Sequence, residues 1–273
     1  MELRAFGAAS LPAIGQGTWM MERDDRASAV AALRRGIELG LTHLDTAEMY
    51  GSGKVEALLG EAIRGLRDRV FLVSKVLPSN ASYAGTLQAC ERSLKALQVD
   101  ALDCYLLHWP GSHPLEETIR AFQKLEQDGK IRSYGVSNFD VKGLEKAVRI
   151  AGKGRIACNQ VLYHLSERTV EPALLPCCEK NGVALVAYSP LGAQGFRSSK
   201  ALDEIAAARG ATPRQIALAF LIRRKGVFAI PKSSALRHVE ENAAAAAIAL
   251  SEDEVRRIDA SFPVGAWRGL ATS

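Results

Sequence analysis

The sequence predicts an α/β protein, namely a closed (β/α)8, or TIM-type, barrel with an N-terminal hairpin and a short C-terminal tail. Eight short apolar runs look like strands buried on both faces, and amphipathic helical stretches separate them. The chain has 273 residues, 48% of them hydrophobic, so it can bury a sizeable core, and its length fits either two average domains or one large α/β barrel. No linker or compositional break divides it, so we expect a single domain over residues 1–273.

A doubly wound open sheet is the competing fold for this alternation of strands and helices. That fold needs a GxGxxG turn between an early strand and a helix. The nearest match, GQG at residues 15–17, is incomplete and continues into TWMM rather than into a helix. The sequence therefore favours the closed barrel.

The predicted strands follow a short segment that can pair as a hairpin around residues 7–10. Each strand is a short, continuous apolar run bounded by helical stretches. The runs are GQGTW (15–19), THLD (42–45), VFLVSK (70–75), LDCYLLH (102–108), SYGVSN (133–138), IACNQ (156–160), VALVAYS (183–189) and VFAIPK (227–232).

The predicted helices carry apolar residues at helical spacing and charges elsewhere, as in residues 24–40, 86–98 and 116–130. Side chains that cap helix N-termini mark three starts, at Asp24, Thr86 and Thr212. Pro213 suits a first helical position. Glycines that end helices are expected at Gly40, Gly129 and Gly182.

Charge and cysteine content argue against several functional classes. The net charge of +5 and the pI near 9.0 come from scattered Lys and Arg, which fits an anionic cofactor better than a nucleic acid. Five cysteines without a CxxC pair indicate reduced thiols rather than a zinc site. The N-terminus lacks a signal-peptide pattern and no apolar stretch reaches membrane-spanning length, so we expect a cytoplasmic, soluble protein with no membrane partner.

Polar or aromatic side chains close nearly every predicted strand. Chemistry in a barrel of this kind occurs at the C-terminal ends of the strands, so these side chains are expected around one opening. They are Trp19, Asp45 with Tyr50 beyond it, Lys75, His108, Ser137 with Asn138, Gln160, Tyr188 with Ser189, and Lys232 with Ser233. Each alone has a structural explanation, such as a helix cap or a satisfied core histidine, but their succession favours a functional site.

Four of these side chains form a chemically coherent group. An ammonium beside a phenol favours the phenolate, so Lys75 is expected to lower the pKa of Tyr50, and Asp45 to keep Lys75 charged. His108 can donate a hydrogen bond to a substrate oxygen. This group suits carbonyl reduction, in which a hydride reaches carbon and a proton reaches oxygen. The histidines lack HxH or HExxH spacing, so we expect no metal and an organic cofactor as the hydride source.

The chain resembles the aldo-keto reductase superfamily over nearly its whole length. The shared motifs are LDTAEMYG (44–51), SK (74–75), YLLHWPG (105–111), GKIRSYGVSNF (129–139), NQVLYHL (159–165), AYSPLG (187–192) and IPKSSALRHVEEN (230–242). Their order and spacing are highly specific. The resemblance implies a (β/α)8 barrel that binds NADPH in an extended form without a Rossmann domain. It also implies a catalytic tetrad, with Tyr50 as general acid, formed by Asp45, Tyr50, Lys75 and His108.

The resemblance also implies cofactor-binding positions. The nicotinamide carboxamide would be held by Ser137, Asn138 and Gln160. Tyr188 would stack on the nicotinamide ring. The pyrophosphate would pass along Ser189, Leu191 and Gly192. The adenosine and its 2′-phosphate would be held by Lys232, Ser233, Glu241 and Asn242.

His238 departs from the pattern of strongly NADPH-selective relatives, in which the position six after Lys232 is usually arginine. A planar, permanently charged arginine can stack on adenine and pair with the 2′-phosphate, whereas neutral histidine contributes little charge. Arg237 is expected to point elsewhere, because adjacent helical residues diverge by about 100°. Lys232 and Ser233 remain as phosphate ligands, so we expect NADPH to be preferred, but by a narrower margin than an arginine would give, with measurable use of NADH.

The substrate is expected to be a small carbonyl compound. Residues 11–19 and 108–118 resemble bacterial members associated with reduction of methylglyoxal and 2,5-diketogluconate. The substrate pocket is expected to include Trp19, Met49, Trp109 and Trp267, although each can also be ordinary rim packing. Sugar or ketone reduction is the alternative within the family, and a nucleotide-binding regulatory module without turnover is a remote one. Most barrels of this family act as monomers, so we expect a monomer.

Overall fold

The computed structural model of the chain describes residues 2–193, 195–267 and 269–272. In that part of the chain, a two-stranded hairpin precedes an eight-stranded parallel sheet, and ten α-helices connect and follow the strands. None of the helices found there is long and apolar enough to cross a membrane.

The N-terminal hairpin covers one end of the sheet. Its strands β1 (Leu3–Phe6) and β2 (Ala9–Pro12) pair antiparallel across a turn at Gly7, whose φ of +57° favours glycine. Phe6 is buried, and three rings near the starts of sheet strands pack edge-on against it. These rings belong to His43, Phe71 and Phe228. The predicted hairpin is confirmed, and it lies opposite the strand ends that carry the candidate site.

The parallel sheet contains all eight predicted strands, each paired with its neighbours in chain order. They are β3 (Gln16–Gly17), β4 (His43–Asp45), β5 (Phe71–Val76), β6 (Cys104–Leu107), β7 (Tyr134–Ser137), β8 (Ile156–Leu162), β9 (Ala184–Tyr188) and β10 (Val227–Ala229). The strands β3 and β10 are shorter than the sequence predicts. Pro231, which has no N–H to donate to a ladder, lies within the predicted length of β10.

Backbone hydrogen bonds also link the segment just before β3 with β10. The Gly15 N–H donates to the Ala229 carbonyl (2.8 Å), and the Ala229 N–H donates to the Ala13 carbonyl (2.9 Å). Gly17 forms an isolated parallel bridge with Lys232. A Cβ at Gly17 would lie 2.6 Å from the carbonyl oxygen of Ile230, so the close approach of these strands requires glycine.

The helices pack on the outside of the sheet. They are α1 (Arg26–Glu38), α2 (Lys54–Ala62), α3 (Tyr83–Leu97), α4 (Leu115–Gln127), α5 (Val141–Ala151), α6 (Leu174–Asn181), α7 (Lys200–Ala208), α8 (Pro213–Leu221), α9 (Leu236–Ala245) and α10 (Glu252–Ser261). Thr212 and Pro213 begin α8 as predicted, with a capping box to Gln215.

Two predicted helix starts are wrong. Asp25 rather than Asp24 caps α1, because it is the Asp25 carboxylate that accepts from the Ser28 N–H (2.9 Å). Ser82 rather than Thr86 caps α3, one turn earlier than predicted. The three predicted end glycines, at Gly40, Gly129 and Gly182, are confirmed by left-handed φ values just past α1, α4 and α6.

The alternation of side chains along β4 and β5 places a charged residue of each strand on the inner face of the sheet. On β5, Leu72 belongs to the apolar layer between sheet and helices, whereas Val73 belongs to the apolar cluster inside. Lys75, two residues after Val73, shares its inward face, and Ser74 faces outward to α2. The same alternation brings Asp45 inward at the end of β4. Two charged side chains therefore meet inside the C-terminal end of the sheet.

Candidate functional site

A cavity of about 720 Å³ opens at the C-terminal ends of the strands. The lining residues predicted from strand ends are Trp19, Asp45, Tyr50, His108, Asn138, Gln160, Tyr188, Ser189 and Lys232. Met49, Trp109, Leu191 and Gly192, also predicted, line it as well. The structure thus brings most of the predicted site residues to one opening.

Lys75 lies beneath the cavity and connects three parts of the site. Its ammonium, 0% exposed, donates to the Asp45 carboxylate (2.6 Å), to the Thr46 carbonyl (2.8 Å) and to the Tyr50 phenol oxygen (3.3 Å). Burial alone would lower the pKa of Lys75, but the Asp45 carboxylate and the Tyr50 phenol raise it above its ordinary value. The lysine is therefore charged at neutral pH.

The loop that carries Tyr50 is attached to β5 by its backbone. The Thr46 N–H donates to the Val73 carbonyl (2.9 Å), and the Glu48 N–H donates to the Lys75 carbonyl (3.3 Å). These bonds continue the β4–β5 ladder beyond β4. They hold the phenol of Tyr50 above the ammonium of Lys75. This explains how a tyrosine five residues after Asp45 reaches the same site.

The pKa of Tyr50 differs from the sequence-based expectation. Burial raises it above its ordinary value of 10.0, and the Lys75 ammonium opposes this effect without reversing it. The phenol is therefore protonated at neutral pH. Because Lys75 donates to the phenol oxygen, the phenol proton is directed to another acceptor, and the ammonium can stabilise the phenolate that remains after proton transfer.

His108 lies against the phenol at the end of β6. Its ring packs edge-on against Tyr50, with centroids 5.8 Å apart, and tilts against Trp109 at 4.8 Å. Burial, aided by the charge of Lys75, lowers the pKa of His108 to about 2. The imidazole is therefore neutral, and one of its nitrogens carries the proton that can be donated to a substrate oxygen.

Gln160 and Asn138 present amide groups to the cavity. The Gln160 side-chain N–H donates to the second oxygen of Asp45 (2.7 Å), which leaves the Gln160 amide oxygen as an acceptor. The Asn138 side-chain N–H donates to the His108 carbonyl (3.1 Å), and its oxygen accepts from the Tyr188 hydroxyl (3.0 Å). These bonds fix the orientation of the Tyr188 ring at the cavity wall.

Ser137 does not line the cavity, although the resemblance implies a cofactor contact. Its side chain is buried, and its hydroxyl donates to the Gln160 carbonyl (2.9 Å). This hydrogen bond joins β7 to β8. The segment Ser189 to Gly192 does line the cavity, with a tight turn closed by the Gly192 N–H donating to the Ser189 carbonyl (2.8 Å).

The remaining predicted adenosine-site residues lie around α9, outside the lining of the cavity. Ser233 accepts from the Ala235 N–H (3.1 Å). His238 is exposed, and Asn242 is buried within the helix packing. Glu241 accepts from Arg237, one helical turn earlier in α9 (2.9 Å).

Lys232 lines the cavity and forms an ion pair with Asp24. This pair cannot be predicted from the sequence, because Asp24 and Lys232 are far apart in the chain and Asp24 resembles a helix cap. Only the approach of the segments next to β3 and β10 brings them together.

The apolar wall of the cavity contains three of the four predicted substrate residues, namely Trp19, Met49 and Trp109. Trp267 is not among the described residues that line it, and its side chain is 40% exposed. Thr272, from the same tail, lines the cavity instead. The sequence predicts a contact from the aromatic residue of the tail, but the path of the backbone brings a smaller residue to the opening.

The donors and acceptors of the cavity fit a dinucleotide. Amide groups at the ends of β7 and β8 suit a carboxamide, and the Tyr188 ring offers a face for a planar heterocycle. The Lys232 ammonium suits a phosphate. A protonated phenol and a neutral imidazole then face the remaining space, where they can hydrogen-bond to one carbonyl oxygen.

Comparisons with known proteins agree with this geometry. The model of the Aldo/keto reductase family matches residues 13–262. The chain is 47% identical to methylglyoxal reductase YeaE of Escherichia coli (strain K12), covering 94% of this chain and 93% of that protein. It is 34% identical to glyoxal reductase of Bacillus subtilis (strain 168), covering 94% of this chain and 91% of that protein. An aldo-keto reductase from Klebsiella pneumoniae, solved in complex with NADPH, superposes with a TM-score of 0.94 at 46% identity and full coverage of both chains.

Proposed function

The chain belongs to the aldo/keto reductase family, and we propose that it uses NADPH to reduce small 2-oxoaldehydes such as methylglyoxal to alcohols. The observation that carries this proposal is the protonated Tyr50 phenol held over the buried Lys75 ammonium at the cavity floor. A proton donor in that position serves the carbonyl oxygen, which gains a proton as the carbonyl carbon gains a hydride.

The proposed mechanism assigns one task to each side chain of the tetrad. NADPH supplies the hydride when it is bound. Tyr50 donates its proton to the carbonyl oxygen, and the Lys75 ammonium stabilises the resulting phenolate. Asp45 keeps Lys75 charged and in place through the 2.6 Å ion pair. His108, neutral, donates a hydrogen bond that orients the carbonyl oxygen.

The proposed cofactor site follows the cavity from its centre toward α9. Asn138 and Gln160 would hold the carboxamide, and Tyr188 would pack against the nicotinamide ring. The turn at Ser189, Leu191 and Gly192 would accommodate the pyrophosphate, and Lys232 the adenosine end. Ser137 supports Gln160 from behind rather than touching the cofactor.

A substrate panel tests the proposal. The purified chain is mixed with NADPH and with methylglyoxal, phenylglyoxal, a diketogluconate or xylose, and the loss of NADPH absorbance is recorded. We expect the highest kcat/KM for methylglyoxal or phenylglyoxal. A highest value for xylose would replace the proposal by sugar reduction, and nucleotide binding without turnover of any substrate would indicate a regulatory module.

Trp109 is expected to shape the substrate end of the cavity. Replacing it by alanine should raise KM for phenylglyoxal more than for methylglyoxal, because the larger apolar substrate loses more contact area. Trp267→Ala is the matched control, since Trp267 has similar exposure but does not line the cavity. Equal increases of KM for both substrates would place Trp109 outside the substrate pocket.

His238 is expected to limit the preference for NADPH. It lies exposed in the first turn of α9, where an arginine can pair with the 2′-phosphate. His238→Arg should raise the ratio of kcat/KM for NADPH over NADH by an amount worth roughly 1 to 2 kcal/mol. His238→Gln is the neutral control. An unchanged or lower ratio in the arginine variant would show that position 238 does not face the phosphate.

We further propose that residues 1–273 form one closed barrel domain that acts as a monomer in the cytoplasm. The hydrogen bonds of Ala229 with Gly15 and Ala13 support closure of the sheet, and the free cysteines, all buried, fit a reducing compartment. Light scattering of the purified chain measures its mass directly. A mass near 59 kDa, about twice the 29.4 kDa of one chain, would overturn the monomer.

A further inference from the structure

The cation that lines the cavity is already paired with a carboxylate of the protein. Among the described residues that line this cavity, Lys232 is the one Lys or Arg side chain. Its ammonium contacts the carboxylate of Asp24, which lies between β3 and α1. An anionic group of a ligand that approaches Lys232 therefore meets a cation whose charge is already partly neutralised.

Asp24 is held in this position by a second contact. The Ser234 hydroxyl donates to the same carboxylate oxygen that pairs with Lys232. Burial opposes ionisation, but the hydrogen bonds from Lys232 and Ser234 hold the pKa of Asp24 below its ordinary value. The carboxylate is therefore charged at neutral pH and would repel a phosphate placed at Lys232.

The neighbouring cation on α9 is paired in the same way. Arg237 donates to Glu241 at 2.9 Å, one helical turn later. In the described part of residues 232–242, Lys232 and Arg237 thus both have a carboxylate partner. A 2′-phosphate arriving here would have to displace or share these partners, whereas a cofactor without that phosphate would not.

We propose that Asp24 is a specificity-determining residue for the cofactor: it competes with the 2′-phosphate of NADPH for Lys232 and narrows the preference for NADPH over NADH. This inference rests on the proposed use of NADPH. Beyond that use, it assigns a role in cofactor preference to an acidic residue of the β3–α1 connection. Asp24 acts through Lys232 and not by touching the substrate.

The test measures binding rather than turnover. Dissociation constants of NADPH and NADH are determined from quenching of tryptophan fluorescence, since Trp19 and Trp109 line the cavity. Asp24→Asn keeps the shape of the side chain and can still accept from Ser234, but it removes the charge. We expect it to tighten NADPH binding about two- to fivefold, and NADH binding by less than about 1.5-fold, because the pair is partly exposed to solvent.

Two further variants separate a direct contact from a general charge effect. Asp25→Asn removes the same charge one residue away, and asparagine still caps α1. It should change neither constant. In a Lys232→Met background, Asp24→Asn should no longer tighten NADPH binding more than NADH binding, because the contested cation is absent.

The outcomes distinguish this inference from the proposed function. A wild-type chain that binds neither nucleotide would overturn both. A wild-type chain that binds NADPH, with an Asp24→Asn variant that binds it equally or more weakly, would overturn only the role of Asp24. Equal tightening of NADPH and NADH would also overturn it, because the 2′-phosphate would then not be the competing group.

Discussion

Tyr50→Phe is expected to lower kcat for methylglyoxal reduction by about 10²- to 10⁴-fold while NADPH binding stays nearly unchanged. The substitution removes the phenol proton and keeps the ring that packs against His108. It also removes the acceptor of the Lys75 contact at 3.3 Å, but Lys75 keeps its bonds to Asp45 and Thr46. Steady-state kinetics and a fluorescence titration with NADPH measure the two quantities separately.

The control for this variant is Tyr83→Phe, which removes a phenol hydroxyl from α3, outside the described lining of the cavity. Its kcat should equal that of the wild type. If Tyr50→Phe retained the wild-type kcat, the proton would come from another group and the assignment of Tyr50 as general acid would fail. The deciding quantity is kcat, because an equal loss of melting temperature in both variants would report only on stability and not on proton donation.

Lys75→Met is expected to reduce kcat by a comparable factor and to lower the stability of the fold as well. Without the ammonium, the phenolate left by proton transfer has no cation beside it. The pKa of Tyr50 also loses the charge and the hydrogen bond of Lys75, both of which oppose the effect of burial. The substitution also leaves the buried Asp45 carboxylate without its ion-pair partner. Breaking such a pair typically costs about 3 to 5 kcal/mol.

The double variant Asp45→Asn with Lys75→Met separates the two effects. Asparagine removes the unpaired charge and can still accept from the Gln160 amide. We expect its melting temperature to recover most of the loss seen in Lys75→Met, while kcat stays low. Recovery of kcat together with stability would contradict a direct role of Lys75 in proton transfer, and would indicate that its contribution is structural.

The positions of the tetrad residues could be predicted because each follows directly from local sequence. Asp45, Lys75 and His108 lie at the ends of short apolar strands, and parallel strands in chain order bring those ends to one opening. Tyr50 follows Asp45 in a loop whose backbone continues the ladder to β5. Their positions depend on no long-range pairing beyond the order of the strands.

Features that depend on distant contacts or on the degree of burial could not be predicted. The direction of the Tyr50 pKa shift depends on a balance between burial and one ammonium, and sequence reveals only the ammonium. Ser137 faces Gln160 instead of the cavity, which a strand-end rule cannot distinguish. The pair of Asp24 and Lys232 joins segments from opposite ends of the chain, and the short C-terminal tail brings Thr272 rather than Trp267 to the opening.

In the proposed reaction, a hydride is transferred in this cavity from NADPH to a carbonyl carbon. It is tested most directly by mixing the purified chain with methylglyoxal and NADPH that carries two deuterium atoms at C4 of the nicotinamide, and recording the mass of the alcohol product. We expect one deuterium in each product molecule, at the former carbonyl carbon, and product formation about 10²- to 10⁴-fold slower with Tyr50→Phe. Product without deuterium, or deuterated product formed at an equal rate by Tyr50→Phe, would contradict it.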